Sequence, residues 1–215
     1  MPFVRAEIET ATRHLRKSDP VMSRLIDQVG PFQLKLERDR FRMLVRSIIS
    51  QQISTSAARS IRTRLEAAVA PSPITAEALI RKSVAELRAV GLSSQKVAYL
   101  QDLAQKVVDG EVRLNRLGRM SDEDVIVELT RIKGIGVWTA QMLLIFSMGR
   151  LDVFPHADLG IRGAIRNLYK LKDLPDKRRS EEIAGPWRPY ATVASWYCWR
   201  SHEVLPAVTP PKLSG

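Results

Sequence analysis

The sequence predicts an all-α protein, and three observations carry that expectation. Apolar residues recur three and four apart, the helical spacing, over nearly all of the 215 residues. A single short stretch, Phe32 to Glu37 (FQLKLE), alternates as an extended segment would. A glycine pair, Gly134 and Gly136 in TRIKGIGVWTAQ, separates two helical stretches at a spacing that suits a very tight turn. The length fits one compact domain or two small lobes sharing a core, and the 45% hydrophobic content can fill that core.

Taken in order, the spacing predicts helices over Phe3 to Lys17, Val21 to Val29, Phe41 to Ser50 and Ser54 to Val69. Pro71 and Pro73 then break the pattern. Shorter helices follow at Ala76 to Ile80 and Val84 to Ala89, and a longer one at Ser94 to Val108 is entered through VGLSSQK. In the next, Ser121 to Ile132, Ser121 stands as N-cap with Asp124 in the first turn, and Val125, Ile126 and Leu129 face inward. Val137 to Met148 is apolar on nearly every face and is expected to run through the interior. Asp158 to Tyr169 and Pro189 to Val204 complete the set, and the Pro-rich tail at about 206–215 is expected to fray.

Charge narrows the function. Thirty-four Lys and Arg against 23 Asp and Glu give a net charge of +11, which points to a polyanionic partner, nucleic acid before membrane. One cysteine, Cys198, excludes an internal disulfide and any all-cysteine zinc or iron–sulfur site, and the three histidines are scattered, so no side-chain metal site is expected. The N-terminus lacks an apolar signal core, and the longest apolar run contains Gln141 and is too short to span a bilayer. The expectation is an intracellular protein, cytoplasmic or nucleoid-associated in a bacterium.

The amides that open a helix lack intrahelical partners and carry partial positive charge. Around Gly134, Ile135 and Gly136 they would face outward with no side chains in the way, and Lys133 and Arg131 add charge nearby. That arrangement suits a phosphate held by backbone and blind to base sequence. The same residues would also serve as a plain turn between two packed helices.

These residues carry a resemblance. IKGIGVWTA resembles the hairpin of the helix-hairpin-helix DNA glycosylases, whose Gly/Pro loop and following aspartate also have counterparts here in GRLDVFPHADLGIRGA, with Gly149, Pro155 and Asp158. Asp158 lies 22 positions after Gly136, the order and spacing of that family. LVRSIISQQIS, VGLSSQKVAYLQDLA and WRPYATVASWYCWR are similar to the alkylpurine branch, the DNA-3-methyladenine glycosylase II type, so the likeness runs from about Phe41 to Arg200. It implies one catalytic domain over 1–215, with the hairpin motif at about 121–148, and a two-lobed helical fold with the active cleft between lobes. It also implies a monomer acting on double-stranded DNA that contains alkylated bases. Hydrolysis of the N-glycosidic bond to 3-methyladenine, with 7-methylguanine as a further substrate, would leave an abasic site. The rival readings are a glycosylase for mismatched or deaminated bases on the same scaffold, and a non-catalytic relative that holds damaged DNA.

Asp158 stands where a helix cap belongs, and a cap can also be a catalyst. A fixed carboxylate suits glycosidic cleavage, because positive charge develops on the sugar ring as the base departs. On a helical wheel Asp158 falls beside Ile161, Ile165, Leu168 and Tyr169, and the resemblance implies the same catalytic role for it; Asp152 is the nearby competitor. Relatives that also nick the strand have a lysine two positions after the second hairpin glycine, where this chain has Trp138, so no lyase step is implied. An alkylated purine is already cationic and leaves without further protonation, so one acid suffices.

Electron-rich rings stack well on a cationic base. By resemblance Trp138 and Trp196 are the base-pocket candidates, with Trp187 and Tyr190 after them, although any of these can equally be core. A flipped base leaves a gap in the duplex, and by resemblance Gln52 occupies the wedge position; SQQIS can also be a capping turn using Ser50 and Ser54. Ser94 and Lys96 are expected to touch phosphate. No organic cofactor is expected, while the resemblance implies a sodium or potassium ion on the hairpin carbonyls.

Overall fold

The computed structural model describes residues 3–204, and the expected fraying of the tail at 206–215 lies outside them. Twelve α-helices follow one another among the described residues: α1 (Arg5–Ser18), α2 (Pro20–Val29), α3 (Arg40–Ser50), α4 (Thr55–Val69), α5 (Ala76–Ile80), α6 (Val84–Ala89), α7 (Ser94–Val108), α8 (Asp122–Thr130), α9 (Val137–Leu143), α10 (Leu159–Leu168), α11 (Lys177–Ala184) and α12 (Ala191–Val204). Side-chain oxygens set most of their starts. Asp19, Asp39, Ser54, Thr75, Ser83, Ser93, Ser121, Asp158 and Asp176 each accept an amide of the helix they precede.

The chain divides into two compact units. Unit 2 is the continuous stretch 37–148, and unit 1 is assembled from the segments on either side of it. In unit 2, α7 packs against α3, α5 and α6, and Leu44, Ile48, Leu65, Leu79, Leu100 and Leu143 are fully buried. In unit 1, α2, α10 and α12 enclose Leu15, Met22, Ile161, Ile165, Trp187 and Tyr197.

A buried carboxylate organises unit 1. Asp19, 5% exposed, accepts the amides of Val21 and Met22 through Oδ1 at 2.8 and 3.2 Å. Its Oδ2 accepts the Trp187 indole N–H at 3.0 Å and the Tyr169 hydroxyl. Burying a charge costs several kcal/mol unless donors surround it, and here they come from both ends of the chain. Burial, and then the bond to Asp19, pushes the Tyr169 phenol far above its ordinary range.

Three expectations are corrected. Phe32 to Glu37 pairs with no strand among the described residues, and the Glu37 amide donates instead to the Phe146 carbonyl at 2.8 Å. The interior helix does not continue regularly to Met148: α9 ends at Leu143, and Leu144–Met148 winds more widely as a π-helix. It is buried as expected along most of its length, yet Val137 and Trp138 at its start are 48% and 40% exposed. Lastly, α11 was not foreseen. KRRSEEIA has too few apolar residues for a stripe, and pairs such as Lys177 with Glu181 line its surface. Among the described residues, no helix is long and apolar enough to cross a membrane.

Candidate functional site

One face of α7 carries the hairpin. Asp102 accepts the Lys133 backbone amide at 2.8 Å and the Lys106 ammonium at 2.7 Å, while the Lys133 ammonium stands 3.9 Å away. Burial pushes the Asp102 carboxyl up, but these donors and charges outweigh it and hold the group below its ordinary value. One turn earlier on α7, the ring of Tyr99 lies under Gly134. A methyl group on Gly134 would sit 2.1 Å from Tyr99 Cδ2, and its φ of +80° is a conformation that side chains resist. No other residue fits there.

Gly136 is a glycine for a different reason. Its backbone is extended, with φ −98°, and an added Cβ would meet nothing within 4 Å. No protein neighbour excludes a side chain, so the open space in front of this backbone faces outward. Among the described residues, the amides of Gly136 and Val137 have no acceptor, whereas Ile135 is buried and its amide bonds Ile132 O at 3.1 Å. Residues 130–136 line a shallow depression here, with Lys133 exposed at its edge. The expected outward-facing backbone is present, narrowed to the second half of the hairpin.

The turn 51–54 is tied to the same scaffold. The Gln51 side-chain amide donates to the Gly134 carbonyl at 2.8 Å, and Lys96 Nζ donates to the carbonyls of Ile49 and Gln51 at 2.7 and 2.8 Å. Between those anchors Gln52 is exposed and adopts φ +56°, a left-handed conformation rare outside glycine that costs of order 1 kcal/mol. Ser54 caps α4 and Ser50 bonds the Arg46 carbonyl, so the capping turn exists, and it is what presents Gln52. Lys96, expected to touch phosphate, also clamps this turn, and burial draws its ammonium below the ordinary lysine value. Ser94 is exposed and accepts a hydrogen bond from Arg88 at 3.0 Å.

In unit 1, Asp158 is half-buried at the start of α10. Its Oδ1 accepts the Ile161 amide at 2.9 Å, making the cap, and the Trp199 indole N–H at 3.0 Å. Gly160 leaves the space for this: a Cβ there would lie 3.0 Å from Asp158 Oδ1 and 3.3 Å from the Trp199 ring. Asp152 is occupied differently, binding Arg188 at 3.0 Å through Oδ2 and the Ala191 amide at 3.2 Å through Oδ1, so it joins the start of α12 to the preceding loop.

The aromatic candidates separate. Trp138 lies on unit 2, exposed in the first turn of α9. Trp196, Trp187 and Tyr190 lie on unit 1 with Asp158. Trp196 is 8% exposed, edge-on to Phe32 at 4.8 Å and Tyr197 at 4.9 Å, with the Arg200 guanidinium 5.9 Å over its ring. Trp187 is removed from the base-contacting set, because its ring is fully buried and its N–H is held by Asp19. Tyr190 is half-buried beside His14, with ring centroids 5.4 Å apart. Sequence reasoning missed Trp199, the indole that touches Asp158. Its signal was a tryptophan off the apolar stripe of the last helix, with a donor needing a partner, but nothing pointed 41 residues back to Asp158.

The HhH-GPD family model, described as HhH-GPD superfamily base excision DNA repair protein, matches residues 45–189. DNA-3-methyladenine glycosylase 1 of Schizosaccharomyces pombe is 34% identical over 205 residues, 92% of this chain and 89% of that protein. Among solved structures, the 3-methyladenine DNA glycosylase of that yeast in complex with abasic DNA superposes with a TM-score of 0.83 at 33% identity, over 91% of this chain and 98% of the other. DNA-3-methyladenine glycosidase from Bacillus halodurans gives 0.80 at 34% identity, over 89% and 88% of the two chains.

Proposed function

This chain belongs to the HhH-GPD superfamily of base excision DNA repair proteins, and on that premise we propose that it is a monofunctional DNA-3-methyladenine glycosylase. It hydrolyses the N-glycosidic bond of alkylated purines, 3-methyladenine first and 7-methylguanine with it, in double-stranded DNA. The observation that carries this reading is Asp158, whose carboxylate oxygen is fixed by the Ile161 amide and the Trp199 indole at the head of a helix.

The chemistry asks little more of the protein. As the bond from sugar C1′ to the base nitrogen breaks, its electron pair moves to the base and neutralises the charge that alkylation put there. The deoxyribose is left cationic, and the Asp158 carboxylate stabilises that charge without reorganising. Water adds to C1′, and its proton passes to Asp158 or to solvent. Trp138 stands where strand-nicking relatives carry lysine, so no amine is available there for a Schiff base.

The hairpin holds the duplex by its backbone: the Gly136 and Val137 amides take a phosphate, with Lys133 beside them. The depression lined by residues 130–136 contains no carboxylate, histidine or cysteine, so its oxygen donors are carbonyls and the Thr130 hydroxyl. That donor set suits a sodium or potassium ion, which when bound would add positive charge facing the phosphate. Gln52 on its clamped turn fills the gap left by the flipped base, and Trp196, on the unit that carries Asp158, is an aromatic ring for the base to stack on.

The test is chromatography of bases released from methylated duplex DNA, with gel analysis of the strand. Free 3-methyladenine, and a strand that breaks only on alkaline treatment, is the expected result. Release confined to uracil or hypoxanthine substrates would transfer the protein to the deaminated-base reading. Tight, salt-sensitive binding with no base released would make it a non-catalytic relative.

A further inference from the structure

We propose that a bowl between α3 and α4 is a second phosphate-binding site, taking the DNA backbone next to the Gln52 turn. The inference rests on the DNA-binding reading above but on different residues. The bowl has a volume of about 250 Å³ and an apolar floor of Ile49 and Ala58. Three guanidinium groups, those of Arg46, Arg59 and Arg62, surround it, and no acidic residue lines it.

Of the three, Arg62 is ion-paired within α4, the Glu66 carboxylate standing 3.7 Å from its Nε, so Arg46 and Arg59 carry the proposal. Phosphate oxygens match these two, because guanidinium groups bind them with short, paired, charge-assisted bonds.

The position ties this ligand to DNA. Ser50 and Thr55, which also line the bowl, are the residues on either side of the turn 51–54 that presents Gln52. Lys96 already neutralises the Ile49 carbonyl at the end of α3, so the negative end of that helix does not oppose an anion. A strand whose base step is entered by Gln52 has its own phosphates within a nucleotide or so, and the bowl is built to take one.

The experiment measures duplex binding by fluorescence anisotropy as a function of salt, on undamaged and abasic DNA. It compares the wild type, Arg46→Gln, Arg59→Gln, the double variant, and Arg178→Gln on α11 as a control equal in charge change to each single variant. Thermal unfolding checks that each variant is folded. A phosphate contact releases about one ion, so the double variant should lose about one to two units of the slope of log Kd against log salt, equally on both duplexes. Arg178→Gln should keep the wild-type slope and the wild-type base release.

An unchanged slope in the double variant, or an equal loss in the control, overturns the proposal. If inorganic phosphate at constant ionic strength raises the Tm of the wild type but not of the double variant, while the slopes agree, the bowl holds free phosphate and the DNA assignment falls. A wild type that binds duplex but frees no base would sink the glycosylase reading and leave this one standing.

Discussion

The hairpin and the corner around Asp158 differ in the sign of charge they present, positive in one and negative in the other, and they are built from different materials. Residues 130–141 are contiguous, hold their shape through Gly134 on Tyr99 and the Lys133 amide on Asp102, and offer backbone to the partner. Asp158 offers a side chain, and the atom that steadies it, Trp199 Nε1, comes from 41 residues away. One device recognises a repeating polyanion and needs no base identity. The other must place a single charge against a single atom, and so depends on tertiary packing for its aim.

Substitutions can break this contrast or sharpen it. Asp158→Asn should have the largest effect: base release from methylated DNA falls by about 10²–10³, while Tm and duplex affinity hold, because asparagine caps a helix as well as aspartate does. Equal release by the two proteins would reduce Asp158 to a cap. Next comes the glycine pair. Gly134→Ala should cost about 3 kcal/mol in a denaturant melt, from the clash with Tyr99 and the left-handed backbone together. Gly136→Ala should leave stability within about 0.5 kcal/mol yet weaken duplex binding, since its Cβ enters the space a phosphate would use. If both alanines destabilise alike, the hairpin is a turn and nothing more.

Trp199→Phe keeps most of the ring and removes the N–H, so release should slow by about three- to tenfold, about 1 kcal/mol for one hydrogen bond, with affinity unchanged. The smallest effect should be that of Asp102→Asn. The Asp102 carboxyl is held below the ordinary carboxylate range in the folded state, so its stabilisation is complete above that range and is lost as pH falls through the lowered value. The Tm gap between wild type and variant should therefore narrow on acidification below the ordinary carboxylate range. A gap independent of pH would mean that charge plays no part in seating the hairpin.

Legibility in the sequence follows the same divide. Helix starts announced themselves because caps are local: Ser121 before α8 and Asp158 before α10 are where the sequence put them. The hairpin was legible for that reason too, down to its glycines. The clamp made by Lys96 was not legible because its neighbours in sequence are polar and exposed, while its partners, Ile49 and Gln51, lie more than 40 residues away. Trp187 was misread as available because nothing local reveals the buried acceptor at Asp19. The helix α11 escaped because charge pairing rather than apolar burial marks its surface, and the period of an apolar stripe is what sequence reading detects first.

The interleaving of the two units has a consequence for biosynthesis. Unit 2 spans 37–148 without interruption, so every residue of the hairpin, of α7 and of the Gln52 turn has been synthesised by the time residue 148 is added. Unit 1 must keep α1 and α2 waiting until Trp187 and Tyr169 arrive to close on Asp19, and Asp158 belongs to that later assembly. On the ribosome, where contiguous units fold as they emerge, unit 2 is complete in sequence before unit 1 can close. A nascent chain arrested at residue 148 holds the whole of unit 2 and has yet to receive Asp158.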